Sequence, residues 1–99
     1  MKRIAFHPAA RAELLEAAER YEEQASGLGA QFTDEVERAV RFVEEHPGLG
    51  ISIGEAGRLR RWTLHRFPYY VIYHAEAETL YILAIAHQRR RPGYWKNRV

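Results

Sequence analysis

The sequence predicts an α+β fold: an N-terminal strand, a helix hairpin and three more strands, with the hairpin packed on one face of a mainly antiparallel four-stranded sheet (β-α-α-β-β-β). Three observations carry this. From Ala9 to Glu45, apolar residues recur at helical spacing on both sides of Ser26-Gly27-Leu28-Gly29. From Arg58 onward, short β-branched and aromatic stretches alternate with tight turns. The last stretch, Leu80-Tyr81-Ile82-Leu83-Ala84-Ile85-Ala86, is apolar on both parities, so both of its faces need cover.

Lys2 to Phe6 reads as the first strand. His7-Pro8 opens helix one, since proline is tolerated in a first turn. The helix runs from about Ala9 to Ala25, with Ala10, Leu14, Ala17, Ala18, Tyr21 and Ala25 on its buried stripe. Glu13, Glu16, Arg20 and Glu23 are assigned to a solvated outer face. Ser26 is the expected N-cap of helix two. That helix buries Phe32, Val36, Ala39, Val40 and Val43, and His46-Pro47-Gly48 ends it.

Pro47 to Gly57 reads as a glycine-rich loop with Ile51 and Ile53 as anchors; no Gly-Lys-Ser/Thr follows, so it is not a phosphate loop. Arg58 to His65 is the second strand, Arg66-Phe67-Pro68-Tyr69 a turn, Tyr70 to His74 the third strand, and Ala75 to Glu78 a tight acidic link. The expected core sets Trp62, Leu64, Val71 or Ile72, and Ile82 or Leu83 against Leu14, Tyr21, Phe32, Val36 and Val43. Pro92 should stop the last strand's pairing. Tyr94 and Trp95 should fold the tail back on the sheet beside Trp62 or Tyr73, because two large aromatics need something to pack on.

At 99 residues the chain suits one domain, 1–99, with 88–99 as a basic, aromatic tail. There is no cysteine, which excludes disulfides and thiolate metal sites. No histidine pair has a recognised metal spacing, and no metal or cofactor is expected. No apolar run approaches the roughly 20 residues of a membrane span, so a cytoplasmic protein is expected. The net charge of +2 hides an asymmetry. Residues 1–57 hold six Lys/Arg and eleven Asp/Glu (−5), while residues 58–99 hold nine and two (+7). A half this basic, and almost wholly arginine, points to an anionic partner, nucleic acid or an acidic protein segment.

The element order, the Arg-rich second strand, Arg66-Phe67-Pro68-Tyr69 leading into Val71-Ile72-Tyr73, and Ala86-His87 followed by Arg89-Arg90-Arg91-Pro92-Gly93-Tyr94-Trp95 resemble the RelE/ParE toxin superfamily. The resemblance covers essentially the whole chain and is closer to the ParE-type, plasmid-stabilisation branch. It implies the toxin of a type II toxin–antitoxin pair, neutralised by a cognate antitoxin, with a toxin–antitoxin hetero-oligomer as the expected form. ParE-type members are described as poisoning DNA gyrase; RelE-type members cleave messenger RNA on the ribosome. An inactive relative that only binds its antitoxin is the third alternative.

Metal-free RNA cleavage needs a base, an acid and cations for the phosphorane. For that reading the candidates are His87, Arg61, Arg66, Glu55 and Tyr94. For target or antitoxin binding they are Arg58, Arg60, Arg61, Arg66, Arg89, Arg90, Arg91, Tyr94, Trp95 and Arg98. Several nuclease members carry a catalytic His or Tyr very near the chain end and much of their charge on lysine. Here His87 is followed by twelve residues, and only Lys2 and Lys96 are lysine. The expectation is therefore a gyrase inhibitor with no catalysis of its own, with the ribonuclease as the alternative.

Overall fold

The computed structural model describes residues 2–54 and 57–98. Its elements run β1 (Arg3–Phe6), α1 (Pro8–Gln24), α2 (Leu28–Glu45), β2 (Ile51–Ile53), β3 (Leu59–Thr63), β4 (Tyr69–Ala75), β5 (Thr79–His87) and a short 3-10 turn (Lys96–Arg98). The sheet order is β1-β5-β4-β3-β2, with β1 parallel to β5 and the other neighbours antiparallel. The fold is α+β as expected, with five strands rather than four. The added strand is β2, read above as part of a loop. Tertiary contacts hold its entry. Tyr73 Oη donates to Pro47 O at 2.9 Å and accepts from Gly50 N–H at 3.0 Å, while Arg60 Nη1 donates to Gly50 O at 2.8 Å.

Proline opens α1 as expected, and the His7 ring caps it, with Nδ1 accepting from Ala9 N–H at 3.0 Å. The N-cap of α2 is Gly27, not Ser26. Gly27 sits at φ 87°, in the left-handed region that glycine enters without a Cβ clash. The free N–H groups there are satisfied from the preceding helix. The Glu22 carboxylate accepts from Gly27 N–H at 3.0 and 3.1 Å and from Gly29 N–H at 3.1 Å. A Cβ at Gly29 would lie 2.5 Å from Ala18 O, so glycine is what lets the two helices approach this closely.

The hairpin covers one face of the sheet. Phe32, Val36, Val43, Leu64, Val71, Tyr73, Leu80, Ile82 and Ile85 are all buried there. Phe32 sits among Tyr21, Phe67 and Tyr69, with ring centroids 5.0–5.2 Å away. Trp62 lies at the margin of this core, 4.9 Å from Phe42.

Strand β5 carries one residue more than β4 at its middle: Ile72 pairs with Ala84 and Tyr73 with Ile82, leaving Leu83 extra. This bulge puts Leu83 and Ala84 on the same face, away from the hairpin. They form a second buried cluster with Ile72 and Ala86, packed by Tyr94 and Trp95 of the tail. The tail does fold back on the sheet, but beside Ile53, Leu59 and Tyr70 rather than Trp62 or Tyr73, which belong to the hairpin core.

Candidate partner-binding surface

The tail is fixed by its own end. Arg98 lies against Glu13 of α1, with Nη1 donating to Oε1 and Nη2 to Oε2, both at 2.9 Å. Both side chains are mostly buried, 15% and 12% exposed. The pair also serves β5. The register of β1 stops at Phe6 opposite Ile82. Past that point Arg98 Nη1 donates to Leu83 O at 3.0 Å, and Glu13 Oε1 accepts from Ile85 N–H at 3.0 Å. Two side chains thus satisfy backbone groups that β1 no longer reaches. Hydrogen bonding to Glu13 raises the Arg98 pKa above its ordinary value.

Tyr94 lies beneath two cations: the Arg90 guanidinium is 3.7 Å from its ring centroid and that of Arg98 5.0 Å. Its hydroxyl is buried beside the Glu13 carboxylate. Burial pushes Tyr94 well above the usual tyrosine range, and Glu13 adds to the shift. Trp95 packs edge-on to Tyr94 at 5.2 Å. Both half-buried rings hold the tail down. Arg98 likewise is an anchor here rather than a presented cation.

Arg89, Arg90 and Arg91 are exposed at the end of β5. Their backbone is held there: Gln88 N–H donates to Pro68 O at 2.8 Å, and Arg90 N–H to His87 O at 3.0 Å. His87 Nδ1 accepts from Arg89 N–H at 3.1 Å, and its ring meets Tyr69 edge-on at 5.0 Å. Between this turn, the tail and β3 lies a cleft of about 340 Å³, lined in part by Arg61, Tyr70, His87, Arg90 and Trp95.

The arginines of residues 58–66 do not form one cluster. Strand alternation turns Arg61 toward the tail, where it lies 4.7 Å over Tyr70, and Arg60 toward the opposite face. Arg66 is drawn to α2, with Nη2 donating to Gln31 Oε1 at 2.7 Å. Arg58 is exposed near His74, whose Nδ1 is 3.2 Å from Arg58 O. Glu55 lies outside the described residues. Among those described, no group of His, Asp or Glu is placed to hold a metal, and no helix is long and apolar enough to cross a membrane.

Sequence reasoning missed two carboxylates. Glu13, expected on the solvated face of α1, is turned inward, and Glu35 on α2 is a second such carboxylate. Glu35 is buried, and its Oε2 accepts from the N–H groups of His65 at 2.6 Å and Arg66 at 3.1 Å, fixing the turn before β4. Each lies three residues after one fully or nearly fully buried residue and four before another: Glu13 between Ala10 and Ala17, Glu35 between Phe32 and Ala39. That spacing is visible in the sequence and places both on the inward side of their helices.

A strand, a helix hairpin on one face of the sheet and then further strands is the element order that carries the resemblance to the RelE/ParE toxins. The chain belongs to the family described as the ParE toxin of type II toxin-antitoxin system, parDE, whose family model matches residues 4–92. In fold it is similar to a chain of the solved structure titled "Chromosomal ParDE TA system from P. aeruginosa". The two are 19% identical, with a TM-score of 0.73 over 88% of this chain and 96% of that one. No curated protein matches the chain.

Proposed function

We propose that this ParE-family toxin acts by binding, with DNA gyrase as its target, and that a cognate antitoxin neutralises it in a hetero-oligomer. The observation that carries the reading is the strapped tail. Glu13 and Arg98 lock the tail's end, Tyr94 and Trp95 pack beneath it, and Arg89, Arg90 and Arg91 stand exposed on a backbone held from both sides. Arginines on a held backbone lose less conformational entropy on meeting carboxylates than arginines on a free tail, which suits a protein-binding surface. The antitoxin's acidic residues would meet the same cations, so its association should be fast and salt-sensitive.

A second reading, ribosome-dependent cleavage of messenger RNA, draws on one observation: His87, Arg61 and Arg90 line a single cleft. Two variants separate the two. His87→Gln removes proton transfer near neutral pH. A nuclease then loses roughly 10²–10⁴-fold in rate, whereas a gyrase binder stays toxic. Replacing Arg89, Arg90 and Arg91 together with Gln should abolish toxicity in the binding reading; because Arg90 also stacks on Tyr94 and bonds the Glu13 carboxylate, the variant is first checked for an intact fold. A folded triple variant that still arrests growth would overturn it.

A further inference from the structure

We infer that the flank formed by α2 and β3 is an interface between two copies of this chain. They pack about a two-fold axis, with α2 antiparallel to its copy and Phe42 at the crossing. The inference goes beyond the reading above, since the arginine tail lies on the other face of the sheet.

The first observation is an apolar patch that the fold leaves open. The register of β2 stops at Ile51, opposite Arg61, so β3 has no strand on that side from Trp62 onward. Leu64 N–H donates to Tyr69 O at 3.0 Å, and strand alternation therefore turns the Thr63 N–H and C=O outward, to this bare edge. Between the edge and α2 lies a cleft of about 450 Å³, lined in part by Ala39, Phe42, Trp62 and Leu64. Phe42 is 38% exposed and lies 4.9 Å from the half-buried Trp62 and 4.8 Å from His46. Leu49, just past the helix, is 59% exposed. Apolar surface grouped in this way and rimmed by charge has the make-up of a protein interface.

The second observation is charge, and it selects the occupant. Arg38, Phe42 and Glu45 are spaced four and three residues apart, so they share one outward stripe of α2. All three are exposed, and neither Arg38 nor Glu45 has an ion-pair partner among the described residues. A two-fold interface must be complementary to itself. Crossing α2 with its copy, antiparallel at Phe42, sets Arg38 of each copy opposite Glu45 of the other. Leu49 lies seven residues after Phe42, and Glu35 seven before it. The same crossing therefore carries Leu49 of each copy toward the cleft of the other, where Glu35 and Ala39 stand. A partner of one charge sign would match only half of this stripe.

The test is sedimentation of the purified full chain from about 1 µM to about 300 µM, a range that spans weak protein contacts. The mass should rise with concentration from the 11.6 kDa of one chain toward twice that value. Phe42→Lys and, separately, Leu49→Glu at the more exposed residue should keep the chain monomeric, with thermal midpoints near the parent's. Charge reversals then test the register. Arg38→Glu alone, or Glu45→Arg alone, makes both contacts repulsive and should weaken the dimer about tenfold. The double variant Arg38→Glu/Glu45→Arg restores both contacts and should recover most of the parent's affinity. A chain monomeric at every concentration, a dimer unaffected by Phe42→Lys and Leu49→Glu, or a double variant as weak as the single ones would each overturn the inference. So would a monomer in which Phe42→Lys weakens only capture of the cognate antitoxin, which would give this flank to that protein. None of these outcomes bears on the gyrase reading, which is judged by toxicity of the Arg89, Arg90 and Arg91 variants.

Discussion

The Glu13 carboxylate and the Arg98 guanidinium meet through two parallel hydrogen bonds of 2.9 Å, joining the first helix to the last turn across 85 residues of sequence. The pair reaches around the edge of the sheet: α1 packs on one face, and the tail lies on the other. Two-toothed, mostly buried geometry is the case in which an ion pair matters most. Glu13→Ala should destabilise the fold by about 3 kcal/mol, the low end for breaking a buried pair, because Arg98 is left without its anion. The double variant Glu13→Ala/Arg98→Ala should lose less than the two single losses added. Urea unfolding of the four proteins measures this; strictly additive losses would show that the pair is not coupled.

The aromatic cluster around Phe32 carries the hairpin face of the core. Phe32 is fully buried, and three aromatic rings contact it. Phe32→Ala should cost roughly 3–5 kcal/mol, read as a shift of the denaturation midpoint. A loss under about 1 kcal/mol would place the core elsewhere.

The turn from His65 to Pro68 depends on Glu35, whose carboxylate accepts from two consecutive backbone N–H groups. Glu35→Ala should cost about 1–3 kcal/mol, since those donors are left unpaired. Amide hydrogen exchange at His65 and Arg66 should accelerate beyond the global change. Unaltered protection at both amides would refute the assignment.

Tyr94 should shape the alkaline limb of stability. Its pKa is raised in the folded protein, by burial first and by Glu13 next. The unfolded chain therefore loses the Tyr94 proton first, at the ordinary tyrosine value of about 10. The stabilisation is complete below that pH and is lost as pH rises above it toward the folded value. Tyr94→Phe removes this contribution, so its thermal midpoint should fall less steeply above pH 10 than the parent's. Identical alkaline slopes would contradict the prediction.

The two helices and strands β3 to β5 were legible because their apolar spacing is local: Phe32, Val36 and Val43 recur at helical period, and Leu80 to Ala86 is apolar throughout. The apolar character of both parities of β5 correctly required cover on both faces. Where the tail lands was not legible. The bulge at Leu83 decides it by turning Leu83 and Ala84 to one side, and no residue there signals a bulge. Strand β2 was hidden for another reason. It is only three residues long and is held by Tyr73 and Arg60, which are distant in sequence. From sequence Arg98 reads as a presented cation as long as its partner, Glu13, is placed on the solvated face of α1. The spacing of Glu13 from Ala10 and Ala17 was the available clue.

In the proposed function this toxin acts by binding gyrase rather than by cutting messenger RNA. The most direct measurement follows plasmid supercoiling and messenger RNA length in the same cells, minutes after the protein is induced without an antitoxin. Plasmid topology should change first, while transcripts stay full length, and His87→Gln should behave in the same way. Shortened transcripts with normal supercoiling, abolished by His87→Gln in a folded protein, would contradict it.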